Sequence, residues 1–202
     1  MKLLETLLAR RPAILNLLHW ANLASPASQT SLEELAALER HAAGAEAALE
    51  IGSFQGVSAV RIARALAPSG VLVCVDPWPE PNGKSNPCFA IFNRHLSRQG
   101  FRSRIRILRG FSGAVESELP ASLDFAFVDG DHSWAGIETD WGLVAGRVKP
   151  GGRVCLHDCA VPEPEPWRHP ESVLFFDQVI RQDQRFELIE IVHSMVTLRK
   201  SI

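Results

Sequence analysis

The chain has 202 residues, 46% of them hydrophobic and 22% charged, which suits one α/β domain with a sizeable core and excludes a disordered tail or a fibrous repeat. A formal net charge of −2 gives no electrostatic footprint for nucleic acid or an anionic membrane, and no apolar run is long enough to span a bilayer. Arg102, Arg104, Arg106 and Arg109 alternate along an expected strand and read as a solvated edge. Of the four cysteines, none forms a CxxC pair, and Cys74 and Cys155 lie inside apolar strand-like runs, a usage that fits buried thiols in a reducing compartment.

Two helical patterns open the chain. The first spans about 2–21, with Leu3, Leu4, Leu7 and Leu8 as its apolar stripe. Asn16, His19 and Asn22 interrupt the run after Arg10 and Arg11, which favours a helical extension over an export signal and implies a cytoplasmic protein. The second helix, 31–43, begins with a capping box of Ser31 and Glu34 and is closed by Gly44. From residue 47 strand and helix patterns alternate, so 1–46 is expected as an N-terminal helical extension and 47–202 as the functional domain.

Strands are expected at 47–51, 71–75, 104–108, 123–128 and 153–157, with helical stretches at about 56–67, 87–99, 112–118 and 133–148 between them. Nearly continuous apolar strands separated by helices indicate a parallel sheet covered on both faces. After residue 158 a proline-rich loop leads to a helix near 171–183. Two strands follow, at 186–192 and 194–200, joined through His193 so closely that they must pair antiparallel. The expected fold is therefore α/β: a doubly wound, Rossmann-like sheet, mostly parallel, with a C-terminal antiparallel hairpin.

Four constellations carry chemistry. LEIGSFQG (49–56) places Gly52 and Gly56 at the first strand-to-helix turn, where backbone can approach a ligand and helical N–H groups are unsatisfied. Asp76 ends the second strand, beside that turn, where a carboxylate can accept from ribose hydroxyls. FVDGDHSW (127–134) sets Asp129, Asp131 and His132 at the carboxyl end of the fourth strand, although a turn with Ser133 or Asp131 capping the next helix explains part of it. LHDC (156–159) brings His157 and Asp158 to the same sheet edge. Carboxylates converging from two strands suit Mg²⁺, and a histidine-containing set suits Mn²⁺, Fe²⁺ or Zn²⁺ equally.

With these residues together, 47–200 resembles the class I S-adenosylmethionine-dependent methyltransferases. It is most similar to the small-molecule O-methyltransferase group with VDGDHS and LHD segments, related to the macrocin and catechol O-methyltransferases and to cephalosporin-biosynthesis methyltransferase-like proteins. The resemblance implies that Glu50, Gly52, Ser53 and Gly56 form the methionine-side loop, that Asp76 is the ribose acid, that Trp78 flanks the adenosine and that Ser112 lies on the adenine side. It further implies that Asp129, on the cofactor wall, and Asp158 are metal ligands and that Asp131 is a catalytic base. Cys159 stands where metal-dependent relatives carry Asn or Asp, and a thiol is a poor ligand for Mg²⁺.

The implied chemistry is transfer of a methyl group to a small hydroxylated acceptor such as a sugar, a phenol or a secondary metabolite. The acceptor hydroxyl would be activated by a divalent cation with Asp131 or His132 as base, or by His132 or His157 without one. Nucleic acid and membrane are not expected partners, and self-association stays open. Two other readings stand beside this one. A nicotinamide-dependent oxidoreductase is disfavoured by the missing GxGxxG and by the terminal hairpin, and a catalytically silent S-adenosylmethionine-binding module would keep the fold alone. The segment from Cys159 to Pro170, with Trp167, is expected to form a lid or acceptor wall.

Overall fold

The computed structural model describes residues 12–80, 86–161 and 170–202. Seven strands form one sheet: β1 (Ala47–Ile51), β2 (Val71–Asp76), β3 (Ile105–Arg109), β4 (Leu123–Val128), β5 (Val148–Leu156), β6 (Phe186–Val192) and β7 (Met195–Lys200), in the spatial order β3-β2-β1-β4-β5-β7-β6. The pairs among β1 to β5 are parallel, and β7 runs antiparallel to both β5 and β6. Strand order therefore reverses at β1, between β2 on one side and β4 on the other. In open α/β sheets that crevice, at the carboxyl ends of the strands, receives ligands.

Period-two alternation explains the two-sided core. Leu49 and Ile51 of β1 face one layer with Val73, Val75, Ala126 and Val128, while Ala48 faces the other with Leu72, Cys74, Phe125 and Phe127. The second layer is covered by α2 (Leu32–Ala42), α3 (Val57–Ala65) and α4 (Pro87–Arg98), which bury Leu35, Leu38, Ile62, Phe92 and Leu96. The first is covered by α5 (Trp134–Arg147) and α6 (Pro170–Gln178), through Ile137, Trp141, Val144, Phe175 and Phe176. Each such side chain contributes about 1.5–3 kcal/mol on full burial.

The Ser31–Glu34 capping box forms, and α2 stops before Gly44, whose φ is +77°. Of the first expected helix the structure describes α1 (Pro12–Trp20), packed along α4; residues upstream lie outside the described set. Two local differences from the expected elements are seen. Residues 112–118 form a 3₁₀ helix, Ser112–Glu118, within the connection that crosses from β3 at the sheet edge to β4. The fifth strand begins at Val148, ahead of the expected 153, because a register shift between Leu123 and Phe125 on β4 accommodates the Pro-Gly-Gly kink. Among the described residues no helix is long and apolar enough to cross a membrane.

Candidate active site

A cleft of about 560 Å³ opens at the carboxyl ends of β1, β2 and β4. Its walls include Gly52, Asp76, Phe111, Ser112, Asp129 and Asp140. The turn from β1 into α3 forms its floor. Gly52 has φ +87°, and a side chain there would collide with the Asp129 carbonyl, so β1 and β4 approach at a point only glycine fills. Asp76 binds this turn: its Oδ2 accepts the N–H groups of Ser53 (3.1 Å) and Phe54 (2.9 Å), and its Oδ1 accepts that of Trp78 (2.7 Å). Burial raises the Asp76 carboxyl above its ordinary value, against the pull of these three donors. A carboxylate offers about four acceptor positions, so one remains for a ligand.

Glu50, Ser53, Gly56 and Trp78 lie behind the wall. Glu50 is fully buried and accepts from Ser53 Oγ (2.5 Å) and Cys74 Sγ (3.3 Å); burial pushes its carboxyl up to about 7 despite those bonds. Gly56 has φ +83° and abuts the ring of Phe92 at the start of α3. Trp78 packs between Phe89 and Phe92 at centroid distances of 4.9 and 4.7 Å, and its Nε1 donates to Phe54 O (2.8 Å). These four residues brace the loop rather than line the cleft. Trp78, expected to flank the adenosine, packs in the core and is not among the residues that line the cleft.

At the other end of the cleft, Asp129, His132 and Asp158 bring ligand atoms within 4.8 Å of one another. His132 Nε2 is 3.6 Å from Asp129 Oδ1 and 3.8 Å from Asp158 Oδ2. Asp158 adopts φ +51°, a left-handed conformation that costs a non-glycine residue energy and aims its carboxylate at the cluster. His157 sits beneath, 2% exposed, with Nδ1 3.0 Å from Asp129 Oδ1 and 3.4 Å from Asp158 Oδ2, and Nε2 3.5 Å from Glu34 Oε2. Burial opposes a charge on His157, but the carboxylates of Asp129, Asp158 and Glu34 outweigh it and hold the imidazole well above its usual range.

Asp131 accepts from the N–H and the hydroxyl of Ser133, both at 3.0 Å, and Ser133 in turn caps α5 through Gly136 N (3.1 Å). The Ser133 bonds hold the Asp131 carboxyl below its ordinary value. Cys159 turns away from the carboxylates into the apolar core, and the groups that could hold a metal among the described residues are Asp129, His132 and Asp158. Trp167 lies outside the described residues, and so does most of its loop.

Two participants escaped the sequence reading. Glu34 was visible only as a cap, yet its Oε1 also accepts the N–H (3.2 Å) and Oγ (3.0 Å) of Ser194, and its Oε2 faces His157. No local pattern joins residues so distant in the chain. Asp140 lines the cleft, 3% exposed, and accepts the hydroxyl of Ser112. A signal for it existed: it falls on the core-facing stripe of α5, between Ile137 and Val144, where a charge is anomalous.

A sheet in which only β7 is reversed, with a carboxylate at the end of β2 beside a glycine turn, defines the class I methyltransferase fold. The sequence profile of a family described as a methyltransferase domain matches residues 49–159, more than half of the chain, and the chain belongs to that family. In structure it is similar to the O-methyltransferase TomG of Streptomyces achromogenes, solved with S-adenosylmethionine, at 19% identity and a TM-score of 0.68 over 93% of this chain and 87% of that one. It is also similar to an O-methyltransferase of Bacillus cereus solved with S-adenosylhomocysteine, at 19% identity and a TM-score of 0.67 over 95% and 90% of the two chains. A Podospora anserina methyltransferase bound to S-adenosylhomocysteine aligns at 17% identity and a TM-score of 0.61, over 83% and 75%. Likeness at these identities is likeness of fold. No curated protein matches the chain in sequence.

Proposed function

We propose that this methyltransferase uses S-adenosylmethionine to methylate an oxygen of a small hydroxylated acceptor. One observation carries the reading: Asp129 belongs both to the cleft that Asp76 and Gly52 shape and to the carboxylate–histidine cluster, so a donor site and an activating site share a wall. The cleft volume suits a ligand of nucleoside size, and the open position on Asp76 suits a ribose hydroxyl. S-adenosylmethionine, when bound, supplies an electrophilic sulfonium methyl group. Gly52, Asp76, Ser112 and Asp129 would hold and align it.

Asp129, His132 and Asp158 fit a divalent cation of the Mn²⁺, Fe²⁺ or Zn²⁺ type better than Mg²⁺, because one donor is an imidazole. Such an ion supplies Lewis acidity that lowers the pKa of an acceptor hydroxyl. Asp131, on the cleft wall and tied to Ser133, orients that hydroxyl by accepting its hydrogen bond. A second reading has its own support: His157 faces Asp129 and Asp158, whose carboxylates raise its pKa, so that His132, about one-fifth exposed, would take the acceptor proton itself. In the reading without a cation His157 is a positioning residue, since the carboxylates of Asp129, Asp158 and Glu34 surround it.

The test is methyl transfer from labelled S-adenosylmethionine to a panel of hydroxylated sugars and phenols, with and without a chelator. Transfer to oxygen supports the proposal, and transfer only to nitrogen or none overturns it. Loss in chelator with return on Mn²⁺ or Zn²⁺ selects the cation; full activity in chelator selects His132. The described cysteines are all unpaired, which supports placing the enzyme in a reducing cytoplasm.

A further inference from the structure

We infer that Glu34 is a positioning residue for the cluster of Asp129, His132 and Asp158: its carboxylate ties α2 to His157 and to the turn between β6 and β7, and through these it sets the Asp129 and Asp158 carboxylates. The inference rests on the reading of that cluster as the group that activates the acceptor. It extends the reading to a helix in the part of the chain that the family profile does not cover.

A glutamate in a capping box needs one oxygen for its helix, and glutamates are seldom buried unless paired. Glu34 is 3% exposed, and its carboxylate serves three elements at once. Oε2 accepts the N–H of Ser31 (2.8 Å), which completes the cap, and also faces His157 Nε2 at 3.5 Å. Oε1 accepts the N–H (3.2 Å) and the hydroxyl (3.0 Å) of Ser194. Burial alone would raise this carboxyl, but His157 and Ser31 hold it down at about 2, so both oxygens are acceptors at neutral pH.

Two routes lead from Glu34 to the cluster. The first passes through the imidazole. His157 Nδ1 lies 3.0 Å from Asp129 Oδ1 and 3.4 Å from Asp158 Oδ2, so a ring fixed at Nε2 by Glu34 presents its other nitrogen to both carboxylates. The second passes through backbone. The Ser194 carbonyl accepts the N–H groups of Cys159 and Ala160, both at 2.9 Å, and so anchors the chain directly after Asp158. Asp158 has φ +51°, which a non-glycine residue keeps only where its surroundings impose it. Glu34 is not among the residues that line the cofactor cleft, so its influence on the chemistry runs through these neighbours. Glutamine can serve a capping box, yet it offers one acceptor oxygen and one NH₂ donor. With its oxygen toward Ser194, the NH₂ meets the Ser31 N–H; with its oxygen toward Ser31, the Ser194 turn loses its tie.

The experiment compares the intact wild type with Glu34→Gln and Ser31→Ala. Ser31→Ala removes the hydroxyl that accepts Glu34 N (3.2 Å) and leaves the Glu34 carboxylate its partners, so it reports a weakened helix cap alone. The first readout is independent of turnover: the imidazole Cε1–Hε1 NMR signal of His132 in histidine-labelled protein at pH 8, assigned with His132→Asn. His132 faces Asp129 at 3.6 Å and Asp158 at 3.8 Å, one step removed from Glu34. Its signal should move in Glu34→Gln and keep its wild-type position in Ser31→Ala. The second readout is methyl transfer to an acceptor oxygen. In Glu34→Gln kcat should fall by roughly tenfold or more, with the KM for S-adenosylmethionine within about threefold of the wild type, whereas Ser31→Ala should keep its kcat. If Glu34→Gln does not fold, Ser194→Ala, which removes one bond to Oε1, takes its place in both assays. A His132 signal that stays put, one that Ser31→Ala moves equally, or an undiminished kcat overturns the assignment while leaving the cluster's role intact. A moved signal with no methyl transfer by the wild type leaves the positioning standing and overturns the reading of the cluster as the activating site.

Discussion

Asp76 Oδ2 accepts the backbone N–H of Phe54 at 2.9 Å, so the carboxylate expected to hold the cofactor also holds the loop around it. Asp76→Ala therefore removes two things at once. S-adenosylhomocysteine binding should weaken by roughly 1–3 kcal/mol through the lost charge-assisted bonds. The melting temperature should also fall, because the Ser53, Phe54 and Trp78 N–H groups lose their acceptor. Calorimetry and a thermal melt on the same preparation check both, and an unchanged affinity removes Asp76 from the ligand site.

Gly52 is under a packing constraint that exists before any ligand arrives. Its φ of +87° and the Asp129 carbonyl beside it leave no room for a methyl group. Gly52→Ala should destabilise the fold by about 2–4 kcal/mol in urea. Near-native stability would show that β1 and β4 separate more easily at this point than their contact indicates.

Glu50 gives a pH signature. Its carboxyl is raised from 4.5 to about 7, so in the folded chain it stays protonated over a range in which the unfolded chain has released the proton. The wild type should thus lose stability as pH rises from about 4.5 to 7 through this group, with no further loss from it above. Glu50→Gln lacks that loss. Its melting temperature should exceed that of the wild type at pH 8 and match it closely at pH 4.5. A variant less stable at pH 8 would mean that the ionised carboxylate is better satisfied than the Ser53 and Cys74 bonds provide.

The elements were legible because their patterns are strong: VLVCVD and LDFAFV can be little other than buried strands, and α5 shows its stripe plainly. The site was legible where chemistry is local, in Gly52, Asp76, Asp129 and Asp158, each ending a strand or opening the turn after it. It was less so where neighbours come from afar. Trp78 lies only two residues after Asp76, but a backbone in the left-handed region, φ +33°, swings its ring into the core between Phe89 and Phe92. Cys159, adjacent to a cluster carboxylate, likewise turns inward, and His132 takes the third position instead. His157 emerges at the expected edge, yet Glu34 from α2 closes over it and buries it. Sequence adjacency locates a residue on the sheet edge; tertiary packing decides which way its side chain faces.

The most direct measurement for the central claim is a calorimetric titration of the wild-type protein with S-adenosylhomocysteine, run beside NADH. Saturable one-to-one binding of S-adenosylhomocysteine in the micromolar range, with none for NADH, is the expected result, since a pre-formed cleft with a carboxylate beside a glycine turn suits the former and lacks the GxGxxG turn for the latter. Binding of NADH with no response to S-adenosylhomocysteine would contradict the account.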